Sequence, residues 1–286
     1  MGDVPEPWST DRFELGEGLR WVGDDLLMVD ILSGRLLRLD PRRPGPAREL
    51  RRLQVPLGAA APFAGPPGRY IAAAGTGVAL LGEGTDWIGQ PEEGAATPMR
   101  MNDGCCDPSG RFWAGSMAYD ATPGAGSLYR TDPDRTLTRV LGGYTVPNGP
   151  AFTPDGTRMY LADSHAGRID TCEIGPGGDV RDLRCFTEAD GGAPDGMQVD
   201  SAGYLWVAVW GAGRVHRYAP DATLDRVLEL PAVQPTSVCV VGEAEPTLFV
   251  TSATVGLSAP GPYDGAVFAV PVDVPAPPAR AFGDDS

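Results

Sequence analysis

The sequence predicts an all-β chain folded as a six-bladed β-propeller, with a metal site in its central channel. Three observations carry that prediction. A turn marker followed by a short apolar or aromatic strand recurs at Asp24, Gly68, Gly110, Gly156, Gly203 and Pro246, at intervals of 42 to 47 residues. Periods of about 40–50 residues with turn signals inside each unit are the mark of propeller blades. Each unit has room for about four short strands, and such units bury their sheet faces only by stacking on one another. Finally, polar residues open successive units at equivalent places. A two-sheet sandwich would need six markers to share one period by coincidence.

Composition sets the outer bounds. The 286 residues contain no low-complexity linker, so we expect one domain over 1–286, with a lead-in at 1–12 and a loosely ordered tail at 271–286. Gly 39 and Pro 29 suit many tight turns. The formal charge of −15 speaks against a nucleic-acid partner, which wants a basic patch. No apolar run approaches the ~18 residues of a membrane span, so no membrane partner is expected. The opening MGDVPEPWST has neither a basic region nor an apolar core, which points to the cytoplasm. All 23 basic residues are arginine. Without lysine, Schiff-base chemistry and a lysine base are excluded. The five cysteines have no metal-binding spacing and read as small buried hydrophobes. A Cys172–Cys185 disulfide is not expected in a reducing compartment.

The units follow in order. The first opens at Phe13–Trp21, where Glu17 lies between two glycines that let the backbone turn sharply. Asp24 to Leu39 reads as two alternating strands joined at Ser33-Gly34. The second unit, Val55 to Gly94, is rich in Ala, Gly and Pro and shows no strong site residue. The third, from Arg100, is the densest: RMNDG, then the tight turn DPSGR, then the aromatic strand FWAGSM. The fourth repeats this order from Asn148 and includes His165. The fifth does so from Asp195. The sixth starts near Pro235 and ends in the strand Gly265–Val270. A strand near Phe13 is expected to complete the last blade and remove its free edge.

In this register the unit starts bring Glu17, Arg100, Asn102, Asp103, Asn148 and Asp195 to one end of the channel. Two carboxylates with amide oxygens form an oxygen-donor set suited to Ca²⁺, Mg²⁺ or Mn²⁺, and Zn²⁺ also accepts carboxylates. Taken singly, Asn148-Gly149 and Asp195-Gly196 would be ordinary turn dipeptides. Their spacing of 47 residues, one repeat period, favours a site. Other chemistries lack their signatures: there is no G-x-S-x-G elbow, no H-E-x-x-H and no P-loop. His216 reads as a blade residue, and His165 follows a strand that ends near the funnel.

At these residues the chain resembles the senescence marker protein/gluconolactonase/luciferin-regenerating enzyme family of regucalcin-like propellers. The matching stretches include EG…W…VDI, RMNDG…DPSGRFWAGSM, VPNGPAFTPDGTRMYLADS and PDGMQVDSAGYLWVAVWGAGRVHRYAPD, in the family's order over nearly the whole chain. The resemblance implies one divalent metal ion held by Glu17, Asn148 and Asp195. It also implies substrate contacts from Arg100 and Asn102, support from Asp103 and a looser match at Asp120. Leu19-Arg20 departs from the family, which commonly has Pro and a small apolar residue there. Arg20 is expected either to enter the mouth or to face solvent.

The resemblance further implies a hydrolase that opens a lactone of a sugar acid, with Asp195 as ligand and general base. A small-molecule lactone is then the expected partner. Two alternatives use the same site: a metal-dependent lyase, isomerase or esterase of specialised metabolism, or a non-enzymatic calcium-binding propeller. The pairing of both carboxylates with Arg100 and Asn102 disfavours the last, because an ion sink has no use for the latter two.

Overall fold

In the computed structural model, which describes residues 5–283, the repeats fold as six antiparallel sheets. Blade 1 holds β1 (Gly16–Val22), β2 (Asp25–Asp30), β3 (Arg35–Leu39) and β4 (Arg48–Arg52). Blade 2 holds β5 (Leu57–Pro62), β6 (Tyr70–Ala74), β7 (Gly77–Leu81) and β8 (Thr85–Gly89). Blade 3 holds β9 (Met99–Cys106), β10 (Phe112–Ala118), β11 (Gly126–Thr131) and β12 (Leu137–Tyr144). Blade 4 holds β13 (Pro147–Phe152), β14 (Arg158–Asp163), β15 (Arg168–Ile174) and β16 (Val180–Glu188). Blade 5 holds β17 (Ala193–Val199), β18 (Leu205–Trp210), β19 (Arg214–Tyr218) and β20 (Leu224–Glu229). Blade 6 holds β21 (Pro235–Val241), β22 (Thr247–Ser252) and β23 (Val267–Pro271). Every turn marker of the sequence lies in the hairpin before a blade's second strand, including that of the Ala-rich second unit.

The first strand of each blade is buried and packs against its counterparts around the axis. The fourth strands are mostly exposed. The core is divided to match: six apolar clusters each fill one interface between neighbouring blades. Trp206 of blade 5 meets Val240 and Phe268 of blade 6, and Leu26 and Met28 of blade 1 meet Phe249 on the other side of that blade. A closed ring therefore leaves no blade face unpaired, the condition such repeats need.

The turn aspartates are anchors as well as turn formers. Asp107 caps its own turn and accepts from Arg111 Nε at 2.7 Å and Trp113 Nε1 at 2.9 Å. Asp200 does the same in blade 5, accepting from Trp206 Nε1 at 3.1 Å and Arg217 Nε at 2.9 Å.

The N-terminal segment closes the ring. Residues near Phe13 do join the last blade, through isolated bridges and not a continuous strand: Phe13 N–H donates to Gly265 O, and Leu15 bridges Ala253. Pro7 bridges Phe268, Trp8 N–H donates to Val267 O, and Phe13 is buried between blades 6 and 1. Proline lacks a ladder donor, which suits this edge position. The C-terminal segment to residue 283 runs under the opposite end of the ring. Ala279 N–H donates to Trp21 O, Phe282 N–H to Pro62 O and Gly283 N–H to Gly110 O. Phe282 is buried against Phe63. All five cysteines are free; Cys185 is exposed, while Cys106, Cys172 and Cys239 are buried.

Candidate active site

One irregularity in the strands builds the site. In each of the six blades, the pairing of first and second strand slips by one residue at the same place. The slip lies between Glu17 and Arg20 in β1, Leu57 and Ala59 in β5, and Met101 and Gly104 in β9. It lies between Asn148 and Ala151 in β13, Pro194 and Met197 in β17, and Pro235 and Val238 in β21. A β-bulge leaves one residue unpaired, bends the strand and re-aims side chains. Glu17, Asn102, Asn148 and Asp195 all lie at or beside these bulges. Asn148-Gly149 and Asp195-Gly196 are thus strand bulges lining the channel, not surface turns.

Blade 2 explains its own silence. Gly58 occupies its bulge, and a Cβ there would lie 2.3 Å from the carbonyl oxygen of Asn102. Only glycine permits that approach, so blade 2 gives up a side chain and lets blade 3 move inward. Blade 6 uses its bulge for closure: Thr236 Oγ1 donates to Gly16 O, and Ser237 Oγ accepts from Leu19 N–H at 3.1 Å.

The bulges face a cavity of about 440 Å³ at one end of the channel. Glu17, Asn148, Asp195, Arg100 and Asn102 all line it. A chain of hydrogen bonds fixes the amides. Arg100 Nη1 donates to Asn102 Oδ1 at 2.7 Å, and Asn102 Nδ2 donates to Asn148 Oδ1 at 2.7 Å. Asn148 Nδ2 donates to Ser164 Oγ at 2.7 Å, which donates in turn to Pro194 O at 2.6 Å. The Asn148 amide is thereby fixed, its oxygen toward Asn102 and its nitrogen toward Ser164.

Glu17 and Asp195 are both buried. Burial, then the negative charge of Asp195 and Asp103, pushes Glu17 well above the usual carboxylate range. Burial, then the charge of Asp103, pushes Asp195 up as well. Asp195 Oδ1 accepts no hydrogen bond although it is fully buried. Among the described residues no group of three His, Cys, Asp or Glu side chains gathers as a metal site. What gathers here is two carboxylates, Glu17 and Asp195, and the amide of Asn148, all lining the same cavity. An unpartnered buried carboxylate oxygen beside a second carboxylate and an oriented amide fits a hard divalent cation, which takes oxygen donors.

Asp103 does not line this cavity. It points the other way along the channel, where Arg20 Nη2 lies 3.1 Å from its Oδ1 and Gly104 N–H donates to the same oxygen at 2.7 Å. Arg20 therefore neither enters the mouth nor faces solvent, contrary to both sequence expectations. The bulge after Glu17 turns it into the channel interior, where it lines a smaller cavity of about 90 Å³ beneath the site. Asp120 is also off the cavity wall: it is exposed and accepts from Thr122 N–H at 3.0 Å and Thr122 Oγ1 at 2.6 Å. Its neighbour Tyr119 lines the cavity instead. Adjacent residues at a strand end face opposite ways, so a one-residue difference decides which is presented. His165 lines the cavity, and His216 is a buried blade residue whose Nδ1 lies 2.9 Å from Tyr218 Oη. Ser164 is the member that sequence reasoning missed; its only signal is that it follows the strand paired with Asn148.

Comparison with known proteins agrees with this architecture. Residues 15–254 match the family model described as SMP-30/Gluconolactonase/LRE-like region, and the chain belongs to that family. It is 37% identical over 273 residues to the 6-deoxy-6-sulfogluconolactonase of Pseudomonas putida, covering 91% of this chain and 92% of that one. It is 42% identical over 181 residues to the L-arabinolactonase of Azospirillum brasilense, covering 60% and 59%. Among solved structures, a calcium-binding regucalcin from Agrobacterium tumefaciens superposes with a TM-score of 0.89 at 25% identity, covering 98% of this chain and 97% of that one.

Proposed function

We propose that this member of the SMP-30/gluconolactonase/LRE-like family is a lactone-hydrolysing enzyme whose substrate is the lactone of a sugar acid. Lactonases among its relatives support the reaction. The carrying observation is the convergence of Glu17, Asn148 and Asp195 on one cavity, with Arg100 and Asn102 beside them and one oxygen of Asp195 unpartnered. Glu17, Asn148 and Asp195 would hold one divalent cation, Ca²⁺, Mg²⁺, Mn²⁺ or Zn²⁺, which when bound supplies Lewis acidity toward a carbonyl oxygen.

The chain's own residues then divide the work. Arg100 keeps guanidinium N–H groups beyond the Nη1 that serves Met101 O and Asn102 Oδ1, and these orient the lactone by its ring oxygen or hydroxyls. Asn102, whose amide N–H groups go to Pro147 O and Asn148 Oδ1, meets the substrate as an acceptor. Asp195 takes a proton from a water as that water's oxygen bonds to the carbonyl carbon. The tetrahedral centre collapses, the ring C–O bond breaks, and the leaving alkoxide takes the proton that Asp195 drew from the water. Lactone and water become one hydroxy acid. Asp103, paired with Arg20 beneath, still adds negative charge to the carboxylates above.

The test is metal analysis of the purified protein, then pH-monitored hydrolysis of a sugar-lactone panel with and without chelator. Turnover that chelator abolishes and metal restores is the expected result. Bound metal without turnover on any lactone would overturn the reaction. A protein that binds no divalent metal even after reconstitution would overturn the ligand set.

A further inference from the structure

The cavity is two-sided, and its sides differ in polarity. Blades 3 and 4 present the polar Arg100, Asn102, Asn148, Ser164 and His165 together with Met117, Tyr119 and Val146. Blades 5, 6 and 1 present Leu15, Ile31, Leu32, Ala193, Trp210 and Val255. Apart from Glu17 and Asp195 at the floor, the indole N–H of Trp210 is the only polar side-chain group on that second wall. Much of its main chain is already engaged. Leu15 N–H already donates to Asp30 Oδ1 at 3.0 Å, and Leu15 O accepts from Ile31 N–H. Ile31 O accepts from Gly34 and Leu57, Val255 N–H donates to Glu14 O, and Val255 O accepts from Gln234 Nε2 at 3.0 Å. Leu32, Trp210 and Val255 are the half-buried upper edge of the apolar cluster between blades 1 and 2, so they form a packed, pre-shaped surface.

A fully hydroxylated sugar lactone held against Arg100 and Asn102 would have to turn part of its hydroxylated chain toward this wall. Those hydroxyls would leave water without finding partners, which costs affinity, whereas a hydrocarbon substituent would bury productively.

We infer that the substrate is an amphipathic lactone: hydroxylated on the edge that meets blades 3 and 4, and deoxy or alkyl on the substituent that meets Leu32, Trp210 and Val255. This rests on the lactonase reading and names the substrate class within it. A single methylene or hydroxyl against such a wall discriminates by about 10- to 100-fold in kcat/KM.

The experiment compares kcat/KM of the metal-loaded full chain on a matched pair, galactonolactone and its 6-deoxy counterpart. The deoxy lactone is expected to lead by about 10- to 100-fold. Leu32→Asn, which gives the wall a donor and an acceptor, is expected to bring that ratio toward one. Val255→Thr, close to isosteric, is expected to lower it in the same sense and covers the case that Leu32→Asn folds poorly. Chelator-sensitive turnover of both lactones at a ratio of one or below overturns this inference and leaves the lactonase reading standing. A high ratio unmoved by either variant overturns the assignment to this wall. Absence of turnover on every lactone overturns both.

Discussion

Asp195→Asn should make the metal-free protein more stable and the metal-loaded protein less so. Glu17 and Asp195 stand within hydrogen-bonding reach of each other, and both are raised by burial, Glu17 next by Asp195 and Asp195 next by Asp103. Two carboxylates about 4 Å apart repel by about 4 kcal/mol at an effective dielectric of about 20. The pair relieves part of this by retaining a proton, so about 1–3 kcal/mol remains near pH 8. A carboxyl whose folded pKa exceeds its unfolded value, about 4, binds more protons when folded in the window between the two. Its stability contribution therefore falls as pH rises through that window. In chelator at pH 8, Asp195→Asn should raise Tm by roughly 2–6 °C, at about 2 °C per kcal/mol for a chain of this size. As pH falls toward the unfolded carboxylate range, the raised pair takes up protons and the gap should shrink. With metal at about 100 times its Kd, the wild type gains about 2.7 kcal/mol that the variant largely lacks, and the order inverts. Turnover should fall by at least the 10²- to 10⁴-fold of a general base. Thermal unfolding at pH 8 and at lower pH, with chelator and with excess divalent metal, reads all of this. A variant less stable than wild type in chelator at pH 8, or equal stabilisation of both by metal, would refute the reasoning.

Three further outcomes separate site from scaffold. Ser164→Ala removes the acceptor that orients the Asn148 amide, and outer-shell losses of this kind weaken metal binding by about 10- to 100-fold; calorimetric titration giving an unchanged Kd would exclude that role. Asp200→Ala leaves the Arg217 guanidinium and the Trp206 indole without their buried acceptor. It should cost about 3–5 kcal/mol with kcat/KM of the surviving folded protein unchanged, as denaturant unfolding alongside kinetics will show. Phe282→Ala empties a buried contact under blades 2 and 3 and should cost about 3–5 kcal/mol; a midpoint within error of wild type would mean that the C-terminal segment does not staple the ring.

The fold was legible because a propeller writes itself in turns. Gly110, Gly156 and Gly203 each sit where a hairpin must reverse, and all three have positive φ. That Asn148 and Asp195 share one cavity was legible at one-period resolution, since they recur with the blades. What the sequence hid falls within one residue of what it displayed. A bulge shifts facing by a single position, so Arg20 turned inward and Tyr119, not Asp120, reached the cavity. No propensity scale encodes that slip, because it depends on how six first strands crowd one axis. Ser164 was hidden for another reason: its role is carried by a partner 16 residues away across a sheet.

Six equivalent bulges, filled differently, amount to a division of labour set by side-chain volume and charge. Gly58 surrenders its position so that Asn102 can come within bonding distance of Asn148. Thr236 and Ser237 spend theirs stitching blade 6 to blade 1, where the ring must close. That leaves β1, β9, β13 and β17 to supply chemistry, and three of those four bring a buried carboxylate. Three such charges around one axis would be costly without compensation. Arg20 answers Asp103 from below, whereas Glu17 and Asp195 have no cationic side chain paired with them. On the proposed reading, a bound cation would compensate that second pair. Exchanging Arg20 for the smaller apolar residue common in the family would return Asp103 to the upper group and raise the charge that a bound cation must balance.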